Sequence, residues 1–260
     1  DATPADVSEV VPEPAQFLHG RQDWFFGHFA YDLKNEIAGL SSRHGDKLGF
    51  SDLFFFRPEI VIEKHGDEIR ISTLSADPVE IFQSIRSTES EENLAPHRVP
   101  EIQSRLSRDQ YLEAVRQIQE HIRRGDCYEL NFCQEFFARD VVLDPLQVFE
   151  RLCDISPNPF SALYRVRESF LLCASPERFL RREGDLIRSQ PIKGTLRRSP
   201  GQEEWEARQL EEFQANPKER SENIMVVDLV RNDLSRICRE GSVTVEELCG
   251  IQRFPQVYHL

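Results

Sequence analysis

The stretch SPERFLRREGDLIRSQPIKGTLRR, residues 175 to 198, carries the pattern that decides the fold. Two strand-like runs flank Gly184 and Asp185, a pair of residues that favours a tight turn. The stretch therefore predicts a β-hairpin, and a proline near each end interrupts the ladder of hydrogen bonds. After the second proline, Lys193 is followed by a glycine, which allows the backbone to bend or to approach a ligand closely.

The predicted hairpin relates two ionisable residues. Glu177 and Lys193 lie equally far from Asp185 along the chain, so a regular register opposes them, with Cβ atoms about 5 Å apart. A plain cross-strand ion pair is one interpretation, because lysines are mostly exposed. The other is an acid and an amine that converge on one ligand, and Arg197 and Arg198 add positive charge that attracts carboxylates.

Composition limits the partners of this chain. Its 260 residues carry a formal net charge of -13, and such a field repels nucleic acid and anionic membranes, so we expect neither as a partner. No apolar run approaches the length of a membrane span. The six cysteines form no CxxC pair and do not cluster with histidines at metal-ligand spacing. We therefore expect a reduced, cytoplasmic protein without structural zinc.

Strand-like runs are followed by helical ones, which predicts an α+β fold with mainly antiparallel sheets. A polar stretch at residues 86–98 predicts a boundary between an N-terminal region, 1–98, and a second region, 99–260. Within the second region, the alternation of CYELNFCQEFFAR, residues 127–139, predicts a strand with Glu129 on its polar face. The chain ends in FPQVYHL, which resembles the start of a strand, so we expect a piece of a longer protein.

Two helices have clear sequence signals. Ser107 and Gln110 form a capping box, and Gly125 occupies the position of a C-terminal cap. A second helix, predicted over residues 219–236, is expected to bury an apolar face that contains Ile224, Val227 and Leu234.

The second helix also carries a pair of acids. Glu219 and Glu222 lie one turn apart on a shared face. Carboxylates near a helix start are often only complements of the helix dipole. The same pair suits Mg²⁺, a hard cation that takes one or two carboxylates together with substrate oxygens and water. The residues alone leave both alternatives open.

Four blocks of sequence resemble the chorismate-utilising enzymes. In chain order they are GDCYELNFCQEF (125–136), ASPERFL (174–180), QPIKGTLRR (190–198) and KERSENIMVVDLVRNDLSRI (218–237). The resemblance implies packed, mainly antiparallel β-sheets with outer helices, and a Mg²⁺-dependent substitution on the chorismate ring. Two family segments, one glycine-rich and one with a late glutamate of the metal site, are expected beyond Leu260. The resemblance thus implies a fold that is incomplete at the C-terminus.

The residue before Gly-Thr separates two branches of that family. Anthranilate synthases typically have alanine there, whereas aminodeoxychorismate synthases have lysine, and this chain has Lys193. The resemblance therefore implies conversion of chorismate and ammonia to 4-amino-4-deoxychorismate, a step towards 4-aminobenzoate and folate, with ammonia from a glutamine amidotransferase subunit. Anthranilate synthase component I is the nearest alternative, and a non-catalytic fragment of such an enzyme is the other.

Residue roles follow from the same resemblance. Lys193 is the nucleophile that attacks C2 of the ring, and Glu177 is the general acid for the departing C4 hydroxyl. Gly194 and Thr195 are expected to lie against the substrate.

The resemblance also assigns the metal. Glu222 matches a Mg²⁺ ligand of the family, and Glu219 is expected to assist through water. The ion would anchor the ring carboxylate of chorismate. A lysine nucleophile must be uncharged when it reacts, so the site has to favour the neutral amine.

Overall fold

A computed structural model of the chain describes residues 23–88 and 100–260. The chain divides into two compact units, Asp1–Ala95 and Pro96–Leu260. The boundary predicted between residues 98 and 99 lies outside the described residues.

The first unit contains four strands and two helices within residues 23–88. In chain order they are β1 (Phe26–Phe29), α1 (Leu33–Ala38), β2 (Leu53–Phe56), β3 (Ile60–His65), β4 (Glu68–Thr73) and α2 (Pro78–Ser87). Strand β1 pairs antiparallel with β2, and β3 pairs antiparallel with β4. Helix α2 begins where Asp77 accepts a hydrogen bond from the Val79 N–H at 2.8 Å, and its first residue is proline.

The second unit contains the remaining described elements. They are β5 (Gln103–Ser104), α3 (Arg108–Arg124), β6 (Phe136–Phe137), α4 (Pro145–Ile155), β7 (Phe160–Val166), β8 (Ser169–Ser175), β9 (Arg178–Glu183), β10 (Leu186–Gln190), β11 (Thr195–Arg197), α5 (Glu203–Ala215), α6 (Pro217–Ser235), β12 (Gln252–Arg253) and β13 (Val257–His259). The strands form the ladders β5–β6, β7–β8, β9–β10 and β11–β13–β12. Every pairing is antiparallel, so the α+β prediction is confirmed.

Local capping sets the ends of α3. The Ser107 hydroxyl accepts a hydrogen bond from the Gln110 N–H at 3.2 Å, and the Gln110 amide oxygen accepts one from the Ser107 N–H at 2.9 Å. The helix ends at Gly125, whose φ of 79° lies in the left-handed region that glycine adopts without steric cost. Both ends agree with the sequence prediction.

The strand predicted over residues 127–139 is largely wrong. Regular strand structure is limited to β6, Phe136–Phe137, and the residues before it are irregular. Alternation of apolar and polar side chains favours extended backbone, but a strand also needs a neighbour for its N–H and C=O groups. Within the described chain, β5 supplies that neighbour for β6, and the Arg105 N–H donates to the Glu135 carbonyl at 3.0 Å. Glu129 therefore lies on an irregular segment.

A small core lies where α5, α6 and the last strands of the second unit meet. Phe213, Cys249 and Leu260 are buried together. Asn223 of α6 is also buried, and its side-chain oxygen accepts a hydrogen bond from the Cys249 N–H at 3.2 Å. The prediction that Ile224 is buried is wrong, since this residue is 43% exposed. Helix α6 instead buries Asn223, because its side-chain amide satisfies a backbone N–H group of the neighbouring segment.

No helix in residues 23–88 or 100–260 combines the length and the apolar character needed to cross a membrane.

Candidate active site

The backbone of Lys193 is fixed by a long-range ladder. Its N–H donates to the Leu260 carbonyl at 2.6 Å, and the Leu260 N–H donates to its carbonyl at 3.0 Å. These two bonds extend the pairing of β11 with β13, in which Thr195 opposes His259. Leu260 is only 2% exposed. The lysine therefore extends from backbone that is tied directly to the core of the second unit.

The side chain of Lys193 forms an ion pair that the sequence did not suggest. Its Nζ lies 3.5 Å from Oε1 of Glu129, and the two side chains are 29% and 31% exposed. Glu129 belongs to the irregular segment before β6. Half-burial makes this pair less screened by solvent than an ion pair on the open surface.

Glu177 lies beside Lys193 but contacts a different atom from the one predicted. The register of β9 and β10 ends where Arg178 opposes Gln190, so the hairpin ladder does not continue to the lysine. Instead Oε1 of Glu177 accepts a hydrogen bond from the Ile192 N–H at 3.2 Å. The acid thus holds the backbone immediately before the lysine, and the ammonium pairs with Glu129. The predicted cross-strand opposition of Glu177 and Lys193 is replaced by this arrangement.

Gly194 brings the segment that carries Lys193 against the start of α6. Its φ is 70°, in the left-handed region. A Cβ atom placed on it would lie 2.5 Å from Oε2 of Glu219 and 3.1 Å from Cζ of Phe213. Such distances leave no room for a side chain. The absence of a Cβ at this position therefore allows a candidate metal ligand to approach the residue next to the candidate nucleophile.

His259 is a site residue that sequence reasoning missed. Its Nδ1 lies 2.7 Å from the Gly194 carbonyl oxygen and 3.2 Å from Oγ1 of Thr195. A carbonyl oxygen can only accept, so Nδ1 donates the hydrogen in this contact. The only sequence signal was position: the histidine lies in the strand-like run at the end of the chain.

Two carboxylates and one ammonium lie together on the first turns of α6. The Lys218 Nζ is 3.4 Å from Oε1 of Glu219 and 2.9 Å from Oε1 of Glu222. A hydrogen bond to Glu222 and the charges of both acids raise the pKa of Lys218. The described residues contain no cluster of three or more His, Cys, Asp or Glu side chains arranged around a metal position.

The two acids fit Mg²⁺ as a partial donor set. They are oxygen ligands, and a cation already lies against both of them. Mg²⁺ is usually held by one or two carboxylates together with waters and substrate oxygens. Lys218 is 69% exposed and can move away when another cation binds. The donor chemistry of Glu219 and Glu222 therefore agrees with the predicted ion.

Arg198 does not supply the ligand-attracting charge predicted for it. Its Nε lies 3.3 Å from Oε1 of Glu206, and the two side chains are only 15% and 12% exposed. The same guanidinium donates to the carbonyls of Phe254 and Pro255 at 3.1 and 3.2 Å. These contacts use the arginine to hold β11, α5 and the turn before β13 together. The residue has a structural role.

A cleft of about 730 Å³ lies in the second unit, and its lining includes Ile187, Ile192, Asn223 and Leu260. The side chains of Lys193, Glu177 and Glu222 are not part of its lining. The predicted catalytic residues and the predicted metal ligand Glu222 therefore lie outside the lining of this cleft.

The second unit thus brings Glu177 to the backbone of Ile192 and Glu219 to Gly194, on either side of Lys193. The chain matches the chorismate binding enzyme family over residues 4–260 and belongs to it.

Two curated relatives and one solved structure illustrate the similarity. The chain is 42% identical over 260 residues to aminodeoxychorismate synthase component 1 of Escherichia coli (strain K12), covering 98% of this chain and 55% of that protein. It is 44% identical over 247 residues to the Klebsiella aerogenes protein of the same name, covering 90% and 52%. The chain therefore spans about half the length of these relatives.

The fold agrees with that of a solved structure. The crystal structure of anthranilate synthase component I from Streptococcus pneumoniae TIGR4 superposes with a TM-score of 0.78 at 19% sequence identity, covering 95% of this chain and 62% of that one. Identity this low supports the fold alone.

Proposed function

We propose that this chain is the chorismate-binding part of an aminodeoxychorismate synthase component 1, which converts chorismate and ammonia to 4-amino-4-deoxychorismate. The observation that carries the proposal is the position of Lys193. The ladder to Leu260 fixes its backbone, the carboxylate of Glu177 holds the preceding N–H, and Gly194 lies against Glu219. The candidate acid therefore contacts the residue before the candidate nucleophile, and a candidate metal ligand contacts the residue after it.

In the proposed reaction, the uncharged amine of Lys193 forms a bond to C2 of the ring while the C4–O bond breaks. The C4 hydroxyl leaves as water with a proton from Glu177. Ammonia then bonds to C4, the C2–N bond breaks, and the lysine is released. Gly194 and Thr195 would lie against the ring, and both residues are small.

Mg²⁺ is part of the proposal. Glu222 and Glu219 would hold it, and when bound it would supply positive charge for the ring carboxylate. The support is the donor set on α6 and the nearness of Glu219 to Gly194.

A second protein component is also proposed. The names of the relatives contain "component 1", which supports a partner subunit. We propose that this partner is a glutamine amidotransferase that delivers ammonia. The product is a precursor of 4-aminobenzoate and folate, and we place the reaction in the cytoplasm.

The test uses the full-length protein with chorismate, Mg²⁺ and an ammonium salt. We expect 4-amino-4-deoxychorismate, detected directly and as 4-aminobenzoate after addition of a lyase. Lys193→Ala should remove the product and the covalent adduct seen by mass spectrometry of the quenched protein. Lys64→Ala is the matched control, because this lysine is exposed. Anthranilate as the sole product would favour anthranilate synthesis instead and overturn the proposal.

A further inference from the structure

The ion pair of Lys193 with Glu129 has no place yet in the proposed reaction. The two charged atoms lie 3.5 Å apart, and within residues 23–88 and 100–260 the lysine has no other ion-pair partner. The other titratable groups that face this strand lie against its backbone rather than at its amine: Glu177, Glu219 and His259.

This contact matters because an ammonium group has no lone pair with which to attack carbon. A proton must therefore leave Nζ before a C–N bond can form. The carboxylate of Glu129 is the acceptor in direct contact with that nitrogen.

We propose that Glu129 takes the proton of Lys193 when chorismate enters the site, and that it returns the proton after ammonia has displaced the lysine. This inference rests on the proposed function. Both side chains are already more than two-thirds covered. When the substrate expels the remaining water, the ammonium and carboxylate pair is destabilised more than the pair of a neutral amine and a neutral acid. Glu129 thereby acts as the general base for Lys193.

The proton balance closes over one cycle. The proton moves from Nζ to Oε1 of Glu129, and the nitrogen lone pair then forms the bond to C2 while the C4 hydroxyl leaves as water with the proton of Glu177. When ammonia bonds to C4, the C2–N bond breaks and Lys193 leaves as a neutral amine. It then recovers its proton from Glu129, and solvent reprotonates Glu177.

The experiment compares full-length wild type with Glu129→Gln and Glu129→Asp. For each protein, kcat/KM for chorismate with ammonia is measured from neutral to alkaline pH, together with the rate of the Lys193 adduct in quenched samples. We expect Glu129→Gln to lose about 10²-fold or more at neutral pH. As the pH rises, kcat/KM of this variant should increase by about tenfold per pH unit, because solvent hydroxide then deprotonates the lysine.

Controls separate the possible outcomes. Glu129→Asp keeps an acceptor and should retain part of the activity with the pH profile of wild type. Glu168→Gln, at a side chain that is 93% exposed, should behave as wild type.

Two results would overturn the inference: Glu129→Gln at least as active as wild type at neutral pH, or a loss that stays the same at every pH. Failure of the proposed function would be seen in a different variant. In that case Lys193→Ala would still form product from chorismate and ammonia.

Discussion

Lys193 and Leu260 exchange both backbone hydrogen bonds, at 2.6 Å and 3.0 Å. Leu260 is also a core residue, packed with Phe213 and Cys249. The backbone of the candidate nucleophile is therefore positioned by a residue whose side chain is buried. Stability of the core and geometry of the site are linked through this pair.

Replacement of Leu260 by alanine should lower the free energy of unfolding by about 2–4 kcal/mol, because a buried leucine leaves a cavity when it is truncated. Urea unfolding of the full-length protein measures the change. Leu186→Ala is the control, since Leu186 is 54% exposed, and it should cost about 0.5 kcal/mol or less. Equal effects of the two substitutions would contradict the role assigned to Leu260.

Replacement of Gly194 by alanine should abolish adduct formation at Lys193. The new Cβ would lie 2.5 Å from Oε2 of Glu219, so either the strand or the acid has to move. Gly184→Ala is a matched control, because its φ is 58° and nothing lies within 4 Å of its Cβ position. Both variants bear the cost of a left-handed residue, about 1–2 kcal/mol, but only Gly194→Ala should lose the adduct in quenched mass spectra.

Replacement of Asn223 by alanine should cost about 1–3 kcal/mol, because it leaves the buried Cys249 N–H without its acceptor. Thermal or urea unfolding detects this loss. Asn232→Ala on the same helix is the control, since Asn232 is exposed. If the two asparagine variants have the same free energy of unfolding, the buried hydrogen bond contributes nothing measurable to stability.

Replacement of Lys218 by methionine should strengthen Mg²⁺ binding severalfold. The ammonium lies against both candidate ligand carboxylates, and it has to be displaced before another cation takes its place. Calorimetric titration of the full-length protein with MgCl₂ measures the affinity.

Arg231→Met on the same helix is the control for this prediction, because Arg231 pairs with Asp228 instead. Unchanged affinity in Lys218→Met, or a change of the same size in the control, would remove α6 from the candidate metal site.

Local elements were predictable because their signals lie within a few residues. The capping box of Ser107 and Gln110 needs only its own helix end, and the β9–β10 hairpin turns at the Gly-Asp pair that the sequence indicates. The segment after α3 shows the limit. Its alternation favours a strand, yet most of it has no ladder, because a partner strand is not encoded in the pattern of the segment itself.

The sequence by itself determined the α+β class, the family blocks and the candidate residues Lys193, Glu177, Glu219 and Glu222, since these depend on residue type, order and short spacing. Tertiary structure alone decided which atoms meet. It paired the lysine with Glu129, tied its backbone to Leu260 and set His259 beside Gly194. The physical reason is that these contacts join segments far apart in the chain, and their geometry follows from the packing of the whole unit and not from any local preference.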